Sequence, residues 1–217
     1  MKRLVKSAFN AGALIAVLPA VFLYRMGALV IGPEQAFPGW SQAFSNIPGL
    51  TGLCLRRAFY RCVLPRSGSD AWIGFGTIFS HATAEIGRGV YIGPYCVIGD
   101  VTLEDDVLFG SHVSVMNGNA QHGLDRLDIP IREQSGAWVR VTIGPDSWVG
   151  ERTVVMADVG RHCVVGAGSV VTRPVPDYAI AVGSPARVKR YRDGRGPDAC
   201  PRPGVGGARA VVEVPDP

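Results

Sequence analysis

Between residues 72 and 171 the chain repeats a two-residue unit, an aliphatic or aromatic residue followed by glycine, at a spacing few folds can use. The pairs are Ile73-Gly74, Ile86-Gly87, Ile92-Gly93, Ile98-Gly99 and Phe109-Gly110, then Ile143-Gly144, Val149-Gly150, Val159-Gly160 and Val165-Gly166. The steps 86 to 92, 92 to 98, 143 to 149 and 159 to 165 are each six residues; the others are near twelve or absorb a loop. Three places after the glycine a small or β-branched residue recurs, at Val90, Cys96, Ser147, Thr153, Cys163 and Ser169.

A period of six matches neither the two-residue alternation of a half-buried strand nor the 3.6-residue turn of a helix. It fits a coil with three flat faces, each built from one hexad. The aliphatic residue then points into a narrow prism, the glycine sits at a corner where its conformational freedom is needed, and the small residue fills the space between aliphatic layers. The length between Trp72 and Val171, less one interruption, predicts roughly four to five turns of about 18 residues.

The rest of the composition bounds the partners. Glycine is 28 of 217 residues without a G-X-Y period, so collagen is excluded. The net charge of +4, from 22 basic and 18 acidic residues, is too mild and dispersed for a nucleic-acid footprint. An anionic membrane surface or a phosphorylated ligand fits it better. The five cysteines, Cys54, Cys62, Cys96, Cys163 and Cys200, are an odd number with no CxxC, which suits a reducing cytosol and small core roles. No Walker motif, dinucleotide fingerprint or nucleophile elbow is present.

Residues 1–31 are expected to be a hydrophobic, membrane-associated segment. Lys2, Arg3 and Lys6 precede an apolar run from Ser7 to Tyr24 broken only by Asn10 and Pro19, and the run resumes at Met26. Its length is at the lower limit for spanning a bilayer. No small-x-small cleavage site precedes Arg25, so a retained anchor that spans, re-enters or lies in the interface, with Arg25 snorkelling, is favoured over a signal peptide. A buried helix packed on the domain is the alternative. Residues 32–69 are expected to be an amphipathic helical region. A turn at Gly49 to Gly52 leads into Leu53, Leu55, Ala58, Phe59, Cys62 and Val63 at helical spacing against Arg56, Arg57, Arg61 and Arg66. Those arginines would meet either solvent or anionic headgroups.

The hexad phase breaks between Val115 and Val139. The intervening polar stretch, loop 116–138, is too long for a corner, and loops of that length in compact folds are usually functional. It carries His122, followed by Gly123-Leu124-Asp125. Residues 193–217 hold five prolines and five glycines and are expected to be a disordered tail.

The hexads, the His122-Gly123-Leu124-Asp125 segment and the closing stretch VTIGPDSWVG and VVGAGSVVTRPVPDYAIAVGSPARVKR resemble the hexapeptide-repeat acyltransferases. The likeness covers about residues 70–192 and is greatest to the branch of maltose, galactoside and nodulation-factor O-acetyltransferases, with the colanic acid biosynthesis acetyltransferases nearest. It implies an all-β core, a left-handed parallel β-helix over 70–192, exceptional among crossover connections, carrying the helical, membrane-associated extension at its N-terminal end. It implies acetyl-CoA as donor and a sugar or glycan hydroxyl as acceptor, as in exopolysaccharide or cell-surface polysaccharide biosynthesis, and a homotrimer with sites between neighbouring prisms.

The same resemblance makes His122 the general base, a role imidazole can fill near neutral pH without a covalent acyl-enzyme. It places Trp148 beside that histidine, along the acyl-donor tunnel. Gly166, Ala167 and Thr172 would line the pantetheine groove, and Arg187 and Arg190 would meet the CoA phosphates, a task suited to guanidinium. Departures are Glu151 at a position that is often small, a Val155 to Asp158 run two residues short, and no acceptor-positioning asparagine near Pro94 to Val97. No metal is expected. Two alternatives stand beside this reading: a gamma carbonic anhydrase-like metalloenzyme using His81, His112 and His122, whose spacings of 31 and 10 do not match that class, and a non-catalytic β-helical scaffold. His112 and His162 read most simply as exposed residues on prism faces. Acetyl-CoA and reduced cysteines together predict the cytoplasmic face of the inner membrane.

Overall fold

The computed structural model describes residues 2–194 and 196. Three helices come first, α1 (Lys2–Ile31), α2 (Pro33–Ser45) and α3 (Gly49–Val63), and short strands follow. The strands stack into three sheets, one for each side of a prism. The first face holds Arg66–Ser67, Glu85–Ile86, Val101–Leu103 and Val141–Ile143, then single bridges at Val159 and Val175. The second holds Trp72–Ile73, Tyr91–Ile92, Leu108–Phe109, Trp148–Val149, Val164–Val165 and Ala179–Val182. The third holds Ile78–Phe79, Val97–Ile98, Ser114–Val115, Val154–Val155 and Val170–Val171.

Trp72 lies opposite Tyr91, Tyr91 opposite Leu108 and Trp148 opposite Val164, advances of 19, 17 and 16 residues per coil. From Leu108 to Trp148 the advance is 40, because the interrupting loop leaves within that coil. Six coils result, more than the four to five that the repeats predict. The rungs missed are at the ends: Arg66–Ser67 opens the coil earlier than residue 70 and carries no aliphatic-glycine pair, and Ala179–Val182 closes it with its Val182-Gly183 pair one residue out of register, Val182 standing level with Gly166. The short Val155 to Asp158 run is absorbed at a corner, where a single bridge at Val159 replaces a strand.

The aliphatic residues fill the prism as expected, with Ile73, Ile86, Ile92, Ile98, Leu103, Phe109, Ile143 and Val149 all fully buried. The small residues lie between their layers, and the polar ones tie successive coils together. Ser147 Oγ donates to the Gly160 carbonyl at 2.7 Å and Thr153 Oγ1 to the Gly166 carbonyl at 3.2 Å.

The role of the paired glycines differs from the expectation. Left-handed backbone occurs two residues later, at Gly76, Gly89, Tyr95, His112, Arg152, His162 and Gly168, and not at the glycine of the pair. That glycine is needed for closeness: a Cβ on Gly93 would come within 2.6 Å of the Gly110 carbonyl carbon, and one on Gly150 within 2.5 Å of the Ala167 amide nitrogen. Coils stacked at strand spacing leave no room there for a side chain.

The helices close the first coil, an edge that would otherwise stand open. Phe37, Phe59, Tyr60 and Phe79 are buried together, and the Ser41 hydroxyl accepts from the Phe79 amide at 2.8 Å while also bonding Tyr60 Oη. The turn expected at Gly49 to Gly52 is the first turn of α3.

Arg56 and Arg57 correct the reading of α3 as a helix with a charged outer face, because both are buried, at 2% and 7% exposure. Arg56 donates to the Phe44 and Ile47 carbonyls, at and just beyond the end of α2, and to the Ile73 carbonyl of the first coil. Carbonyls at a helix C-terminus lack intrahelical donors, and a cation satisfies them. Arg57 Nη2 donates to Asn10 Oδ1 at 2.5 Å, so the polar residue that interrupts the apolar run has its partner on α3. Arg25 donates to the Cys62 carbonyl at 3.0 Å, which turns it toward α3. Arg66 pairs with Glu85 and Glu104 on the first face. Among the described residues Arg61 is the one of the four arginines that is exposed without such a bond.

At the other end the strand Arg187–Tyr191 pairs antiparallel with Ala179–Val182 and covers the last rung. The expected tail over 193–217 lies, apart from residues 193, 194 and 196, outside the described residues, as does Cys200.

Candidate active site

The interrupting loop leaves the prism after Ser114–Val115 on the third face and returns at Val141–Ile143 on the first, so it springs from the corner between them. Its base is braced by Asn117, which is buried and whose side chain accepts from the Asp100 amide and donates to the Asp100 carbonyl. Arg140, at the return, pairs with Asp100 and Glu85. Within the loop Gln134 donates to the Arg126 carbonyl and accepts from the Arg126 amide, closing a subloop.

His122 is positioned by the backbone around it. The Ala137 amide donates to the Ala120 carbonyl at 2.7 Å, which brings Gly136 against His122. A Cβ on Gly136 would lie 2.1 Å from the Gln121 carbonyl oxygen and 2.6 Å from the His122 amide nitrogen. The close pass therefore requires glycine. The imidazole of His122 is exposed and packs edge-on to Trp138, ring centroids 6.3 Å apart.

Trp138 also meets a second imidazole, His81, likewise at 6.3 Å. His81 follows the third-face strand Ile78–Phe79 and so stands at the same corner from which the loop springs. Within one chain the aromatic side chain against His122 is thus Trp138. Trp148 stands on the second face, 51% exposed, in line with Trp72, Tyr91 and Leu108, which are also exposed.

The other residues singled out for the acyl donor collect at the last coils. Gly166 and Ala167 form the corner between the second and third faces, directly over Gly150, and the space over Gly168 is open. Arg187 and Arg190 lie on the strand beside Ala179–Val182, opposite Val182 and Ile180, with exposed side chains. Ala186 donates to the Val170 carbonyl, so the turn before Arg187 covers the third face next to that corner. Thr172 ends the third face at the opposite corner, the one that also carries the loop two coils away. Gly166, Ala167, Arg187 and Arg190 are therefore away from the loop's corner within one chain, and of the donor residues only Thr172 shares it.

No histidine cluster with metal-ligand geometry forms. Among the described residues no group of three or more His, Cys, Asp or Glu could hold an ion. His112 stacks on Tyr95 and His162 on Tyr178, both at corners and not on faces. His162 Nδ1 bonds Asp146, and this hydrogen bond, with the nearby Arg192 charge, holds the Asp146 carboxyl below the usual range. The coil cysteines are poor nucleophiles: burial raises the Cys96 thiol and pushes Cys163 up to about 11. Neither is a thiolate at neutral pH.

Residues 83–117 match the family described as bacterial transferase hexapeptide (six repeats), and residues 140–173 match the hexapeptide repeat of succinyl-transferase. The chain is 35% identical over 130 residues to a probable acetyltransferase of Mycobacterium tuberculosis, covering 56% of this chain and 43% of that one. It is 32% identical over 131 residues to the galactoside O-acetyltransferase of Escherichia coli, covering 57% and 62%. The chain thus spans about half the length of these curated relatives. In fold it is similar to a hexapeptide-repeat acetyltransferase of Vibrio cholerae solved with acetyl coenzyme A, with a TM-score of 0.63 at 22% identity over 76% of this chain and 91% of that one.

Proposed function

Since this chain belongs to the hexapeptide-repeat acetyltransferase family, we propose that it moves an acetyl group from acetyl-CoA to a hydroxyl of a sugar or glycan intermediate in cell-surface polysaccharide synthesis, with His122 as general base. The observation that carries this reading is the placement of His122: the one long loop holds an exposed imidazole through a glycine-tight backbone pass. The similarity to a galactoside O-acetyltransferase supports a sugar acceptor.

The imidazole takes the acceptor hydroxyl proton as the oxygen forms its bond to the thioester carbonyl carbon. The carbon–sulfur bond then breaks, and the proton held on His122 passes to the departing CoA sulfur. Holding both substrates in one site supplies a further part of the rate. The buried thiols of Cys96 and Cys163 leave direct transfer as the simpler route. The Gly166–Ala167 corner, with open space over Gly168, has room for a pantetheine chain, Thr172 lies at the far edge of the same face, and Arg187 and Arg190 would meet phosphate.

The separation of His122 from Gly166, Ala167, Arg187 and Arg190 fits a homotrimer in which the loop of one subunit completes the groove of the next. Exposed apolar side chains support it, on the loop at Leu124, Leu127 and Ile131 and on the second face at Trp72, Leu108 and Trp148.

The protein would sit on the cytoplasmic surface of a membrane, where acetyl-CoA is supplied. Phe9–Ile31 is long and apolar enough to cross a bilayer, by length and composition. Its polar members Asn10 and Arg25 turn toward α3, while Ile15, Leu18, Phe22, Leu29 and Val30 face outward. Helix α3 is bonded both to α1 and to the first coil, so a perpendicular α1 would carry Arg56 and Arg57 into hydrocarbon. An α1 lying in the interface avoids that cost.

The test is calorimetric titration of the purified protein with CoA, then thiol release from acetyl-CoA with galactosides and maltose as acceptors. His122→Ala is expected to lower transfer by about 100-fold or more with CoA affinity retained. Absence of CoA binding would overturn the donor assignment, and transfer by the variant within about threefold of wild type would remove His122 from its role.

A further inference from the structure

Trp138 is in ring contact with two imidazoles from different parts of the chain, His122 of the loop and His81 of the first coil. With each centroid 6.3 Å from the indole, the two imidazoles lie within twice that distance of each other. Trp138 and His81 are both half-buried.

His81 is oriented more firmly than His122. Its Nδ1 is 2.8 Å from Ser80 Oγ, and Ser80 Oγ is also 3.3 Å from the Ile98 carbonyl oxygen. With Nδ1 bonded to Ser80, Nε2 is the ring nitrogen left to a ligand, and in the tautomer whose proton sits on Nδ1 it carries a lone pair. Among the described residues Nε2 makes no hydrogen bond.

We propose that His81 and Trp138 form the acceptor subsite of this transferase: the indole lies along one face of a carbohydrate ring, and His81 Nε2 accepts from a ring hydroxyl other than the one His122 deprotonates. The inference rests on the transferase reading above. An indole offers an apolar face to the C–H side of a sugar, and a lone pair at its edge distinguishes hydroxyl positions.

The same corner is tied to the helical layer. Glu34 Oε1, in the first turn of α2, accepts from the Ala82 amide at 3.1 Å, one residue beyond His81. Just before α2 the end of α1 exposes Leu29 at 81%, Val30 and Ile31. The acceptor subsite therefore lies beside the end of the apolar helix that would rest on lipid. The substrate class this placement selects is a carbohydrate held at a membrane surface by an apolar carrier.

Full-length protein on phosphatidylglycerol vesicles would be assayed with n-octyl glycosides in the vesicles and the matching methyl glycosides in solution. His81→Ala and Trp138→Leu are expected to raise the acceptor KM by about tenfold, the loss of one hydrogen bond or stacking contact, with CoA affinity unchanged. His81→Gln, which keeps an acceptor atom near the Nε2 position, and Trp138→Tyr, which keeps a ring, should recover most of it. The octyl series should exceed the methyl series in kcat/KM by about tenfold or more. Acceptor KM values within about twofold of wild type in both deletion variants, or no recovery by His81→Gln and Trp138→Tyr, would overturn the subsite. Equal kcat/KM for the two series would overturn membrane presentation. Failure of the protein to bind CoA at all would instead count against the transferase reading itself.

Discussion

Arg56 Nε donates to the carbonyl oxygen of Ile73 at 2.9 Å, so the middle of α3 is bonded to the second face of the first coil. The same guanidinium reaches the Phe44 and Ile47 carbonyls at 3.2 and 2.7 Å. One side chain thus joins α2, α3 and the β-helix. Burial lowers its pKa, yet arginine stays charged at any pH the protein meets.

Replacing Arg56 by methionine leaves three carbonyls, two of them buried, without this donor and is expected to cost about 3 kcal/mol or more. Lysine should not rescue it, because a single ammonium cannot reproduce the planar fork. Thermal unfolding followed by circular dichroism would check both variants, and a Tm within about 2 °C of wild type for Arg56→Met would show that the helical layer is held by its apolar contacts alone.

Arg187→Ala with Arg190→Ala is expected to weaken CoA far more than dephospho-CoA, each lost charge-assisted contact costing about 1.5 to 3 kcal/mol. Titration calorimetry with the two ligands separates the effects. Equal weakening of both would show that these arginines do not read the ribose phosphate.

Asp146 sets a pH dependence. Its folded-state carboxyl is held low by His162 and Arg192, so the ionised form stabilises the folded chain above the ordinary carboxylate pKa of about 4. That contribution disappears as pH falls through the depressed folded value. The Tm difference between wild type and Asp146→Asn should be present at pH 6 and shrink as the pH is lowered through the depressed value; a difference that stays constant would place the effect in packing.

Leu18→Glu with Phe22→Glu changes two exposed side chains of α1 and should leave the unfolding midpoint close to wild type. Flotation with anionic vesicles should nevertheless show the protein moving from the lipid to the soluble fraction. Continued flotation would mean that some other surface carries the membrane contact.

The coil was legible because one physical demand, a glycine where each corner passes under the next, repeats and so leaves a period in the sequence. At the ends the signal weakens: Gly68 meets the same demand but follows a serine, and at the last rung Val182 stands level with Gly166 of the coil before. His122 stood out through its loop and its neighbours Leu124 and Asp125. His81 and Trp138 gave no comparable sign, because 57 residues separate them and only the winding of the coil brings them to one corner. Arg56 and Arg57 were misread for a related reason. Helical spacing tells which residues share a side, but not that Asn10 and three carbonyls wait on the other side of those arginines.

The strands before and after the loop stay in register, Val101 opposite Val141 and Ser114 opposite Val154, although 40 residues separate each pair. The loop is therefore an interchangeable insert whose length and composition can drift while the stacked coils keep their alignment. On the proposed reading the insert brings Trp138 and His122 while the coils bring His81 and the residues proposed for the donor, so rewriting that single segment would recast one side of the acceptor subsite and leave the stacked coils as they are.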